Sequence, residues 1–86
     1  MKKNEAVEFI TNFLKENPEI DLPVSFVSFE LRNKRFGLPA GYLFYDAFTD
    51  ELCCRSANHT RTELWPVDIS KLYKDDLLRI VNECNQ

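Results

Sequence analysis

Apolar positions recur over the start of the chain at the spacing of a helix. Ala6, Phe9, Ile10, Phe13 and Leu14 fall on one stripe, and Glu5, Glu8, Asn12, Lys15 and Glu16 fall on the remainder. The spacing predicts an amphipathic helix over residues 5–16. Asn4 stands where a cap belongs, Glu5 and Glu8 suit the positive end of the dipole, and Asn17 before Pro18 stops the helix. A second such pattern closes the chain, where Leu77, Ile80, Val81 and Cys84 follow helical spacing behind Asp75 and Asp76. Asp68 or Ser70 could each cap an early turn of this second helix, with Leu72 and Tyr73 anchoring it to the rest of the fold.

Between the helices the pattern turns to alternation. The prolines at 18 and 23 make residues 18–23 an irregular connection. Residues 24–31, VSFVSFEL, then read as a strand. Its alternation puts Val27, Phe29 and Leu31 on one face and Val24, Phe26, Ser28 and Glu30 on the other. The face without the charge is the expected buried one. Arg32, Asn33, Lys34 and Arg35 make a basic turn, after which residues 35–38 are candidates for a short hairpin with this strand.

Residues 41–55, GYLFYDAFTDELCCR, hold two apolar runs separated by Thr49, Asp50 and Glu51, the pattern of a hairpin at the centre of a small sheet. One register follows from charge. With Asp50 and Glu51 as a two-residue turn, Thr49 opposes Leu52, Phe48 opposes Cys53, and Asp46 opposes Arg55 as a cross-strand ion pair. Leu43, Tyr45, Ala47, Leu52 and Cys54 then share a charge-free face, and Tyr42, Phe44, Asp46, Phe48, Cys53 and Arg55 share the other. The turn lacks the Gly or Asn of tight primed turns, so a longer loop is the alternative. Residues 56–62 are polar and read as a loop. Pro66 confines residues 63–69 to a short edge strand.

The order α-β-β-β-β-α describes an α+β fold: a small antiparallel sheet of three to four strands with an N-terminal and a C-terminal helix packed on it. With both helices on one face, the other would expose Phe26, Tyr42, Phe44 and Phe48, more aromatic area than a monomer leaves in water. Either the helices cover opposite faces or something else covers that side.

Composition narrows the class. A chain of 86 residues is expected to form one domain that buries roughly 60 to 65% of its unfolded surface. Hydrophobic residues make up 44% of it and aromatics 13%, so it folds; its net charge of −3 gives a whole-molecule field of the wrong sign for nucleic acid or an anionic membrane. Three cysteines, an odd number with two adjacent, and no secretory leader point to the reducing cytoplasm. No apolar run reaches the roughly 18 residues of a membrane span. The acceptor triplet Asn58, His59 and Thr60 has no meaning without export.

No motif stands out as catalytic, and no cofactor is expected. Cys53, Cys54, His59 and Cys84 are the only soft metal ligands, but neighbouring strand residues point to opposite faces, so Cys53 and Cys54 suit packing better than one shared ion. Cys53 with His59 could in principle make a thiol nucleophile and its base, against the plainer reading of a sheet residue and a solvated loop. Asp75 with Asp76 and Asp50 with Glu51 lie where helix starts and turns want acids, and Gly37 and Gly41 form no phosphate cradle. Arg32, Lys34, Arg35, Arg55 and Arg61 cluster in turns and at strand ends, and beside an aromatic face they could serve a nucleic acid, though charged turns are ordinary. Trp65 is either a core anchor or an interface residue. The expectation is a non-enzymatic module that binds a protein partner or forms a homodimer through Phe26, Tyr42, Phe44, Phe48, Arg55 and Trp65. A nucleic-acid-binding domain on the same face, and a small thiol enzyme, are the alternatives.

Overall fold

The computed structural model describes residues 1–24, 28–31, 34–37 and 41–86, with side chains for all but 28–31 and 34–37. Its elements run α1 (Lys3–Glu16), β1 (Leu22–Val24), β2 (Ser28–Leu31), β3 (Lys34–Gly37), β4 (Gly41–Asp46), β5 (Glu51–Ser56), β6 (Trp65–Pro66), a 3₁₀ turn (Ile69–Lys71) and α2 (Lys74–Cys84). This is the expected α+β fold. Its main sheet is antiparallel with strand order β1-β4-β5-β6, and β2 and β3 form a separate antiparallel pair with Leu31 opposite Lys34.

Both helices lie on one face of the main sheet. Ala6, Ile10 and Leu14 of α1 and Leu77, Ile80, Val81 and Cys84 of α2 are buried in one cluster with Leu43, Leu52 and Cys54 of the central strands. Phe9 and Phe13 are half-buried at the edge of that cluster. The helix α1 starts earlier than its Asn4 suggested, because the Glu5 carboxylate accepts from the Lys2 N–H at 2.9 Å and so closes the first turn. Its stop at Asn17 is as read: the Asn17 side chain donates to the Phe13 carbonyl at 2.7 Å. Asp68 caps the 3₁₀ turn rather than the helix, accepting from the Ser70 N–H at 3.0 Å, and Asp76, in the first turn of α2, is fully buried and paired with Arg79.

Three expectations are corrected. The strand expected over 24–31 is divided, and the main sheet instead takes Leu22, Pro23 and Val24 as β1. Pro23 fits there because β1 is an edge, where a missing N–H costs no ladder bond. Val24 then faces the helices with Leu22, not the outer side to which alternation assigned it. Phe26, Val27 and the side chains of Phe29 and Leu31 lie outside the described residues.

The second correction is the hairpin register. Asp46 opposes Glu51, Tyr45 opposes Leu52, and Tyr42 opposes Arg55, so the strands are joined by residues 47–50. Asp46 is a loop former and not a partner of Arg55: its carboxylate accepts from the Phe48 N–H at 3.1 Å and from the Thr49 hydroxyl at 3.0 Å. Asp50 completes the loop with a left-handed φ of 55°. The register differs from the expected one by an even number of residues, and with a side-chain period of two the faces are therefore preserved. Ala47 alone leaves the inner face, since it sits exposed in the loop.

The third correction concerns the outer face. Phe44 and Cys53, opposite each other on it, are each 1% exposed within a single chain. The helices do not cover them, being on the other side. Among the described residues no helix is long and apolar enough to cross a membrane.

Candidate functional site

The two ends of the β4–β5 hairpin carry different arrangements of aromatic and charged groups. At the open end, backbone paths converge closely. A Cβ on Gly41 would stand 2.3 Å from the Arg55 carbonyl oxygen, so this position needs glycine. Arg55 lays its guanidinium 4.2 Å from the centre of the Tyr42 ring opposite it, and Arg61, from the loop that follows β5, lies 4.6 Å from the Phe44 ring. Asp21, just before β1, joins the two cations: Arg55 Nη2 donates to it at 3.2 Å and Arg61 Nε at 2.8 Å. Arg61 also donates to the carbonyls of Pro18 and Ile20, at 2.9 and 3.2 Å. Arg55 donates to the His59 carbonyl at 2.6 Å, while its buried Nε has no hydrogen-bond partner among the described residues. The cover that the outer face needed is thus supplied in part by the chain's own arginines.

The closed end is held as firmly but presents its aromatic outward. The Tyr45 hydroxyl donates to Asp50 Oδ1 at 2.5 Å, and Lys15 of α1 approaches the same oxygen at 3.7 Å. These bonds hold the Asp50 carboxyl below its ordinary value, the Tyr45 bond foremost, and raise the Tyr45 phenol. With Asp46 gripping the Phe48 N–H, the loop is tied to α1 and to β4. Phe48 at its tip is 100% exposed, and Asp46, Asp50 and Glu51 surround it in sequence.

A groove runs away from this loop along α1. Lys3, Val7, Thr11 and Lys15 stand four residues apart and so form one stripe of the helix. Val7 and Thr11 line a hollow of about 530 Å³ with Leu52, Val67 and Ile69, and Glu51 and Asp68 also border it. Val7 continues into a second hollow of about 430 Å³ beside Lys3, Asn4 and Ser70. The stripe ends at Lys15, against the loop that carries Phe48.

The six residues singled out from the sequence are therefore not one surface. Tyr42 and Arg55 are half-buried against each other, Phe44 is enclosed, Phe48 is open, and Phe26 lies outside the described residues. Trp65, opposite Cys54 on the edge strand, is half-buried and packs against the core. Asp21, Tyr45 and the Val7–Thr11 stripe were not singled out. Asp21 has no local signal, since its partners are 34 and 40 residues away, whereas Asp46 followed by Thr49 is an ordinary loop-forming pair.

The thiols are poorly placed for chemistry. Burial raises all three, Cys54 to about 12 and Cys84 to about 11, and the nearby carboxylates of Asp46 and Glu51 add to the effect at Cys53. The Cys53 thiol points to the Glu51 carbonyl, while exposed His59 directs Nδ1 toward Glu63 at 3.3 Å. Among the described residues no three His, Cys, Asp or Glu side chains converge as metal ligands do. Compared with known proteins, the chain matches no family model, no curated protein and no solved structure.

Proposed function

We propose that the chain is a non-enzymatic interaction module that offers Phe48 to a protein partner. The observation that carries this reading is the full exposure of a phenyl ring on a loop held in one shape by Asp46, Asp50, Tyr45 and Lys15. A loop already held in one shape loses little backbone freedom on binding, which favours an interface hot spot. The acids beside Phe48 suit a partner pocket with a basic rim and disfavour an anionic membrane surface. Arg55 and Arg61 give less support to base stacking, because each already lies over a ring and pairs with Asp21. The raised Cys53 thiol and the His59–Glu63 pair give equally little to thiol catalysis. Three free thiols suit the cytoplasm as the place of action.

A photoreactive phenylalanine at position 48, with the same group at exposed Glu8 as control, tests the proposal in extract from the source cells. Adducts specific to position 48 that excess unlabelled chain suppresses, and that excess Phe48→Ser does not, are the expected result. Equal labelling from both positions, or equal competition by Phe48→Ser, overturns it.

A further inference from the structure

We infer that both edges of the main sheet are closed to a further strand, so that neither a partner nor a second copy joins this chain by strand addition and recognition is left to side-chain surfaces. The inference stands whether or not Phe48 is the anchor. In the order β1-β4-β5-β6 the edges are β1 and β6, and among the described residues each pairs with one neighbour only. Exposed edges are where sheets recruit foreign strands. Each of these edges carries a proline at the position that decides the matter.

In an antiparallel pair, successive residues alternate between turning their N–H and C=O toward the neighbouring strand and turning both away. Pro23 opposes Tyr42 between Leu22 and Val24, and without an N–H it cannot exchange a pair of bonds with Tyr42. Leu22 and Val24 therefore bond to β4, and Pro23 is the residue of β1 that faces outward. The same holds at β6. The Val67 N–H donates to the Leu52 carbonyl at 2.9 Å, which turns Pro66, opposite Cys53, away from β5. Strands of three and two residues leave no other outward position within them, so each edge offers a carbonyl and no N–H donor. Both prolines are exposed, so the missing donor, and not a cover of side chains, is what blunts these edges. A strand laid against either one would set its own carbonyl opposite the proline with water excluded and no partner, which costs more than the absent bond alone.

Restoring the donor tests this. Pro23→Val and Pro66→Val each supply an outward N–H on a residue that suits a strand. Two copies of either variant can then pair edge to edge, each new N–H meeting the other's carbonyl, and sedimentation equilibrium on the full chain should show association about tenfold or more stronger than that of the wild type. The amide introduced at position 66 should exchange freely in the dilute variant and gain protection as concentration rises. A synthetic chain with N-methylvaline at the same position keeps the side chain and lacks the donor, and should associate no more than the wild type. Unchanged thermal melts of the dilute variants show that the fold is intact, and because the two positions lie on opposite edges, misfolding of one variant leaves the other to decide. Valine variants that associate no more than the wild type up to about 1 mM, an N-methylvaline chain that associates as strongly as the valine chain, or an amide at position 66 already protected when dilute overturns the inference.

Discussion

Phe44 and Phe48 lie four residues apart in the same hairpin, and both belong by alternation to the outer side of the sheet. One is 1% exposed and the other 100%. Part of the difference comes from residues distant in sequence. Phe44 sits under Arg61, which is fixed by Asp21 and by the carbonyls of Pro18 and Ile20. Phe48 has no such cover, and the bonds around it hold the loop's backbone without enclosing the ring. Two aromatics in similar local sequence thus divide into a ring enclosed by the fold and a ring left in solvent.

Substitution of each ring by alanine should separate the two positions most widely. Phe44→Ala should lower unfolding free energy by about 3–5 kcal/mol in urea titrations, the cost of emptying a filled site. Phe48→Ala should stay within about 0.5 kcal/mol of wild type. Because Phe44 faces Cys53 across the strands, Phe44→Ala should also speed alkylation of that thiol at pH 8, and Phe48→Ala should leave it slow. Equal costs at the two positions would erase the distinction between them.

Next in size is the close approach at the open end. Gly41→Ala drives a Cβ against the Arg55 carbonyl, which is backbone and cannot swing aside, and should cost about 1–3 kcal/mol. Ala47→Ser in the exposed loop should be neutral to within about 0.5 kcal/mol by the same titration. Asp21→Ala follows, at about 1–2 kcal/mol, because it leaves the 15%-exposed Arg55 side chain without its carboxylate. Asp50→Ala, which removes the largely exposed pair with Lys15 and the Tyr45 bond at the loop end, should cost less.

How far each of these features could be read from the sequence follows from the range of the forces behind it. The helices were legible because Ala6, Ile10, Leu14, Leu77, Ile80 and Val81 repeat at one period and bury at that period. The faces of β4 and β5 were legible for the same reason, and survived a wrong register because the slip was even. The register itself was not, since the charges of Asp46 and Arg55 suggested a pair, whereas Asp46 bonds two and three residues ahead and Arg55 reaches Asp21. The division of the strand at 24–31 was hidden by reading Pro23 as a breaker when the sheet edge tolerates it. The exposure of Phe48 fits its place on the outer face, but its separation from Phe44 was not legible, because Arg61, one of the groups over Phe44, arrives from a loop whose polar composition gives no sign of it.

The smallest expected effect is the pH dependence of the closed end. Asp50 titrates below its ordinary 3.8 because Tyr45 and Lys15 favour its charged form, so its contribution is complete above that value and is lost as pH falls through the lower, folded-state value. Tyr45 titrates above its ordinary 10.0 because ionisation would break its bond to Asp50, so its contribution is complete below 10.0 and is lost as pH rises through the higher, folded-state value. The loop should therefore be most ordered between those limits. Amide protection at Phe48 and Thr49, taken relative to the intrinsic exchange rate at each pH, should fall on both sides, while that of Phe44, paired with Cys53 in β4–β5, holds through the same range. Asp50→Asn keeps a residue tolerant of the left-handed backbone and removes the charge, and should flatten the acid limb and move the alkaline limb down toward the ordinary phenol value, since the same carboxylate raises Tyr45. An acid limb unchanged in Asp50→Asn would show that the bond between Tyr45 and Asp50 does not order this loop.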